Sequence, residues 1–262
     1  MLNIDMEKER LGKLIKGAIL GLSIALLLGC GILYGPKAVQ TFQPAKEEKK
    51  VPITSVQCDE KKVALSFDVS GKNEDIQDIL EVLRVHSIQG SFFLTGDWVS
   101  KYPDDVKNMY ADGHDIGNQS EHHTNMSQMT KNDCIKEIGM PHNRVKELTG
   151  ERMKLFRAPY GEYSEQLLDT IEQVDYYPIQ WSIDSEDWKD YGVDTIVNQV
   201  CNSPNLDNGA IILFHNGTKF TKEALGEVIR NLQHKGYQIV KISELIYEKD
   251  YVIDEHGKQC RK

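Results

Sequence analysis

The 262-residue sequence contains no C-x-x-C pair, and its five cysteines (Cys30, Cys58, Cys134, Cys201 and Cys260) show no other metal-ligand spacing, so a cysteine-held metal site is not expected. No G-x-G-x-x-G follows the first apolar run, which removes the dinucleotide fingerprint. Basic residues are in deficit: 31 Lys and Arg stand against 40 Asp and Glu, a net charge of -9. That balance argues against broad nucleic-acid binding. Long apolar runs are scarce as well. One occurs, "GAILGLSIALLLGCGILY" from Gly17 to Tyr34, 18 residues without a charge.

That run meets the length threshold for a membrane-spanning helix and is long for a signal-peptide core. Residues 1–16, with Lys8, Arg10, Lys13 and Lys16, form the expected cytoplasmic segment, and 17–34 the expected uncleaved single-pass anchor. An alternative rests on Leu27-Leu28-Gly29-Cys30, which resembles a bacterial lipobox and would lipidate Cys30. Either route puts the rest of the chain outside the cytoplasm. Residues 35–53 have the Pro, Lys and Glu content of a linker. A globular domain is expected over 54–247, followed by a C-terminal tail over 248–262. Cys58 and Cys260 lie near its two ends and could bridge, which spacing alone does not decide.

What is present from about Thr54 onwards is a regular alternation. Short apolar runs such as "KKVALSF", "GSFFLTG" and "GAIILFH" are separated by stretches of helical period. In "NEDIQDILEVLRVH", Ile76, Ile79, Leu80 and Leu83 share one face. "TKEALGEVIRNLQHKG" has Thr221 as an N-cap candidate and Gly236 as a stop. This order predicts an α/β fold with a mostly parallel sheet, either open and doubly wound or closed as a barrel. Asp68, Arg157, Asp184 and His215 each end an apolar run at its C-terminal side. In a parallel barrel those ends converge on one face, where active sites are built. The barrel is therefore the expected form.

Five short stretches then fall into a known order: Ser66-Phe67-Asp68-Val69-Ser70, Gln119-Ser120-Glu121-His122-His123, Arg157-Ala158-Pro159-Tyr160-Gly161, Asp184-Ser185-Glu186-Asp187-Trp188 and Leu213-Phe214-His215. With framing stretches such as "FFLTGDWV" and "KGYQIVKISEL", the chain resembles the polysaccharide deacetylases with the NodB homology domain, carbohydrate esterase family 4. The resemblance covers roughly Lys61 to Tyr247, and "FDVSGKNED" looks closest to the sporulation-associated branch. It implies a distorted (β/α) barrel of seven or eight strands and removal of N-acetyl groups from an amino-sugar glycan of the cell wall. It also implies roles: Asp68 as general base, Arg157 as its ion-pair partner, Asp187 as the group orienting His215, and His215 as general acid. Tyr160 would hold the oxyanion through its backbone N–H, with Trp188 and Leu213 at the acetyl pocket.

The resemblance further implies a divalent metal, zinc or cobalt, held by a carboxylate and two histidines. Here this sequence departs from the pattern. Val69 stands for the carboxylate and Gln119 for the first histidine, leaving His123 alone of the three. An amide oxygen suits a hard cation and is a poor replacement for imidazole on zinc or cobalt. Weak metal binding, or none, is expected. Three routes stay open: substitute ligands from Glu74, Asp75, Glu121 or His122; a metal-independent hydrolase using Asp68 and His215; or a non-catalytic domain that binds wall polymer or a partner protein. The joint survival of Asp68, Arg157, Asp187 and His215 makes a membrane-anchored deacetylase with a modified metal site the expected function, with the non-catalytic domain as its alternative.

Overall fold

The computed structural model describes residues 49–262; the apolar run 17–34 and Cys30 lie outside the described residues. Among the described residues no helix is long and apolar enough to cross a membrane.

Eight strands run parallel to one another: β2 (Lys62–Val69), β3 (Ser91–Leu94), β4 (Asp115–Asn118), β5 (Leu155–Phe156), β6 (Tyr177–Pro178), β7 (Ile183–Asp184), β8 (Ala210–His215) and β9 (Gln238–Val240). β2 lies at the centre, with β8 along one edge. Its other edge is shared by β9 at the start and β3 at the end. Ahead of them, β1 (Ser55–Val56) pairs antiparallel with β8. Two residues earlier, Ile53 bridges Ile179 just past β6. The stretch 53–56 thus touches both flanks of a curled α/β sheet, so the chain assigned to the linker ends inside the sheet.

Alternation explains how β2 can be apolar almost throughout. Val63, Leu65, Phe67 and Val69 point into the main core beneath the helices, whereas Ala64 belongs to a smaller core on the concave face with Phe93, Leu155, Ile179 and Ile211. Buried on both sides, a parallel strand reads as a continuous hydrophobic run. Phe67 stacks on Phe92 of β3 at 4.8 Å and faces Phe214 of β8 at 5.7 Å, joining three strands on the helix side.

The helices follow the expected periodicity. α1 (Ile76–Val85) buries Ile76, Ile79, Leu80 and Leu83. After α2 (Gly96–Lys101) and α3 (Pro103–Ala111), Thr130 caps α4 (Lys131–Thr149) through the Asp133 N–H. α5 (Glu165–Gln173) and α6 (Val193–Cys201) precede α7 (Thr221–His234) and the short α8 (Ile242–Leu245). One expectation is corrected at α7. Phe220, not Thr221, occupies the N-cap position, because the Thr221 hydroxyl is taken by the Asp187 carboxylate at 2.6 Å.

Residues 248–262, set apart in the sequence as a tail, carry a hairpin of β10 (Tyr251–Ile253) and β11 (Lys258–Arg261), and β11 runs parallel to β1. No periodicity over so short a stretch announces this pairing. It is secured by Gln259, fully buried, whose amide accepts from the Tyr247 N–H and donates to the Tyr247 carbonyl, both at 2.8 Å. The thiols of Cys58, Cys134, Cys201 and Cys260 are all free, so Cys58 and Cys260 are not joined.

Replacing Gln259 by Ala strands two part-buried backbone groups of Tyr247. Urea unfolding should show a loss on the order of 3 kcal/mol, and a loss below about 0.5 kcal/mol would mean that the hairpin is held by something else.

Candidate functional site

On the concave face the alternation along each strand ends in a polar residue: Ala64, Ser66, Asp68 on β2; Ile211, Leu213, His215 on β8; Leu155 then Arg157 after β5. Asp68 and His215 are register partners across β2 and β8. Asp184, at the end of β7, is aligned with Leu213. Strand period and parallel register therefore gather all four residues singled out in the sequence at one rim.

Arg157 is completely buried. Its Nη1 donates to Asp68 Oδ1 at 2.7 Å, and Nη2 donates to Ser66 Oγ at 2.9 Å and the Gln180 carbonyl at 3.2 Å. The guanidinium lies 4.0 Å from the Phe93 ring centroid and 5.4 Å from that of Trp181. Burial pulls Arg157 below its ordinary range, and the charge and hydrogen bond of Asp68 pull it back. A planar fork between a ring, a hydroxyl and a carboxylate permits one orientation of Asp68.

A second pair stands opposite. Asp187 is buried; its Oδ1 bonds to His215 Nδ1 at 2.8 Å, while its Oδ2 accepts from the His215 backbone N–H at 2.8 Å and from Thr221 Oγ1. Nδ1 is thereby engaged, leaving Nε2 as the ring atom for proton transfer. Burial alone would lower the imidazole. The hydrogen bond to Asp187 and the charges of Asp68, Asp187 and Asp184 outweigh it, and the net shift is upward. Asp184 itself is pushed up by burial while its Oδ1 accepts the Glu186 N–H at 2.8 Å.

The metal positions look different. Gln119 is completely buried and its Nε2 donates to Asp68 Oδ2 at 2.5 Å. Both carboxylate oxygens of Asp68 are therefore held, one by a cation and one by an amide. The remaining Gln119 atom, Oε1, is buried with no partner among the described residues. His123 has positive φ (52°) and sits edge-on to Tyr160 at 4.7 Å, and burial lowers its imidazole. Val69 continues the β2 alternation into the main core and is fully buried.

The substitutes named in the sequence are committed elsewhere. Glu74 is exposed beside Lys72, and Asp75 accepts the Gly217 N–H with both oxygens at 2.9 Å. Glu121 is buried in a two-point pair with Arg144 at 3.0 and 3.1 Å, and His122 pairs with Asp97. Asp97, Glu121 and His122 do cluster, but Arg144 already neutralises the buried member of the three. The donor set left around Asp68 is one imidazole and one amide oxygen. That set does not fit zinc or cobalt, which take three protein ligands in catalytic sites.

Around the rim, Tyr160 (φ 61°) and Trp188 are exposed, at 68% and 56%, whereas Leu213 is buried beneath His215. Sequence reasoning missed Ser66, Thr221, Phe93 and Gln180, which hold the two charged pairs. Ser66 alone left a signal: it shares the face of Asp68 two residues on.

A family model described as polysaccharide deacetylase matches residues 55–179. The peptidoglycan-N-acetylmuramic acid deacetylase PdaA of Bacillus subtilis is 32% identical over 199 residues, 73% of each chain. The chain belongs to the polysaccharide deacetylase family. A peptidoglycan-N-acetylglucosamine deacetylase of Bacillus cereus is likewise 32% identical, over 70% of this chain and 67% of its own. Among solved structures, a CE4 family pseudoenzyme from Bacillus anthracis matches with a TM-score of 0.71 and 27% identity, covering 86% of this chain and 75% of its own.

The upward shift of His215 makes a signed prediction. Its folded value lies above the unfolded value near 6.5, so the pairing stabilises the fold fully below that pH. The contribution is lost as pH rises through the folded value. Asp187→Asn should lower the His215 titration midpoint followed by NMR and flatten stability against pH in that window. An unchanged midpoint would refute the pairing.

Proposed function

We propose that this chain binds cell-wall amino-sugar glycan in a NodB-type groove in which deacetylase chemistry is suspended. One observation carries the reading: the Gln119 amide occupies the second oxygen of Asp68. A general base must have a lone pair free to take a proton. Here each oxygen of the carboxylate is already engaged, Oδ1 by Arg157 and Oδ2 by Gln119, and the imidazole that would join His123 is replaced by the amide that engages Oδ2. Family membership and the exposed Tyr160 and Trp188 support glycan as the ligand. The likeness to a pseudoenzyme of the same family agrees with it.

A second reading, a deacetylase of cell-wall glycan with a modified metal site, is favoured by the intact geometry of Arg157 with Asp68 and of Asp187 with His215. In that reaction His215 Nε2 would protonate the leaving nitrogen, and Arg157 would orient Asp68. Purified 49–262 titrated calorimetrically with zinc, cobalt and manganese should bind none with micromolar affinity, and should release no acetate from N-acetylglucosamine oligomers or peptidoglycan. Gln119→His, which frees Asp68 Oδ2 and restores an imidazole, should raise zinc affinity at least about tenfold. Acetate release by the natural protein that Asp68→Asn abolishes would replace the first reading with the second.

The same proposal includes single-pass anchoring through residues 17–34 with the domain outside the cytoplasm, supported by the uncharged run and the basic residues before it. The full chain should resist carbonate extraction from membranes, and a chain beginning at Gly35 should not. Palmitate incorporation lost in Cys30→Ser would instead make it a lipoprotein.

A further inference from the structure

Where the strands begin, at the end of the sheet opposite the rim, β4 and β5 separate. Their one register pair is Asn118 with Phe156, at the end of β4, so residues 115–117 have no partner strand on that side among the described residues. The gap forms a cleft of about 580 Å³, within the range of small-ligand sites. Ile116, Val145, Met153 and Leu155 give it an apolar lining, the last three almost wholly buried. Arg152, Lys154 and Lys241 also line it, against two acids, Asp115 and Glu151. Cations are thus in excess here, in a chain whose net charge is -9.

The two acids are already engaged. Asp115 accepts from Ser91 Oγ at 2.8 Å and from the Ser243 N–H and Oγ at 2.9 and 2.6 Å. Glu151 accepts the Tyr110 hydroxyl at 3.4 Å. The cations are less committed. Lys154 stands 3.4 Å from Glu248 and Lys241 3.6 Å from Glu244, and Arg152 has no ion-pair partner among the described residues.

His114 supplies a fixed donor. It is 6% exposed and lines the cleft. Its Nδ1 accepts the Gly90 N–H at 3.0 Å, and Phe92 meets its ring edge-on at 5.1 Å. Burial lowers the imidazole to about 4, with Asp112 and Asp115 opposing and Lys241 and Arg84 assisting. The ring is therefore neutral at neutral pH, and because Nδ1 accepts, the hydrogen resides on Nε2. That N–H has no hydrogen-bond partner among the described residues, and it is not sealed from solvent. An oriented donor left open beside uncommitted cations points to an acceptor from outside the chain. His114 and Lys241 also border a neighbouring cleft, but its one arginine, Arg84, is already paired with Glu81 and Asp112.

We propose that the cleft between β4 and β5 binds a small ligand carrying an oxyanion, carboxylate or phosphate, on an apolar body. The oxyanion takes the His114 Nε2–H and the charges of Arg152 and Lys241, and the body lies on Val145, Met153 and Leu155. Asp68, His123 and His215 do not line this cleft, so the proposal stands apart from the glycan reading.

NMR of the histidine rings of the full chain tests it. The His114 signals are assigned by their loss in His114→Asn, whose amide oxygen keeps an acceptor for the Gly90 N–H. Benzoate and phenyl phosphate should shift those signals saturably, and neutral benzyl alcohol should not. The tighter of the two binders identifies the oxyanion. Arg152→Gln and Lys241→Gln should each weaken binding about tenfold, equal to about 1.4 kcal/mol, and Arg84→Gln should leave it unchanged. Inorganic phosphate should bind about tenfold more weakly than phenyl phosphate, and equal binding would refute the apolar body. No saturable shift, an equal response to benzyl alcohol, or indifference to both Arg152→Gln and Lys241→Gln overturns the site. So does a response of His123 or His215 with His114 silent, which puts the ligand at the rim. Sensitivity to Arg84→Gln but not to Arg152→Gln would move the ligand to the neighbouring cleft and overturn the assignment.

Discussion

The buried pair of Arg157 and Asp68 is the constraint around which the rest is arranged. A guanidinium with no solvent contact needs its charge and most of its donors matched. Here Asp68 supplies the charge, Ser66 and the Gln180 carbonyl accept from Nη2, Phe93 covers one face, and Nε is left buried without a partner among the described residues. These partners come from β2, β3 and the chain after β6, so the pair ties together segments more than 100 residues apart in sequence, from Ser66 to Gln180. Removing either charge leaves the other buried alone, which costs roughly 3–5 kcal/mol in comparable sites. The pair therefore has a reason to persist as structure. Its survival does not by itself argue for turnover.

That reasoning separates the two halves of the site. Asp187 is engaged in the same way, holding the His215 backbone, its ring and the start of α7 at once. Gln119 Oε1 is buried and unpartnered, as Arg157 Nε is, and each such atom costs free energy. The one hydrogen bond of the Gln119 side chain is to Asp68. A metal site and an amide at this position are alternatives, since the amide fills the space at the end of β4 where the resemblance places an imidazole ligand.

Much of this was legible in the residues. Apolar runs closed by Asp68, Arg157, Asp184 and His215 have a period-2 pattern whose parity puts those side chains on one face, and a parallel sheet does the rest. The loss of metal ligands could be read directly from Val69 and Gln119. Three features were not legible. The direction of Val69 into the helix-side core depends on where β2 ends. The capture of Thr221 by Asp187 overrides a good local cap with a tertiary partner. The hairpin at residues 251–261 depends on β1, a two-residue strand whose only signal is Val56.

The hairpin shows why a motif-based reading stops short of specificity. The five motifs describe the rim where strands β2, β5, β7 and β8 end, and that rim is fixed by sheet register. What surrounds the rim is made by loops and by the chain ends, which register leaves free. In this chain residues 51–54 and 254–257 are bonded to each other and border the Tyr160 loop. These outer walls are set by the loops and chain ends that the five motifs do not describe.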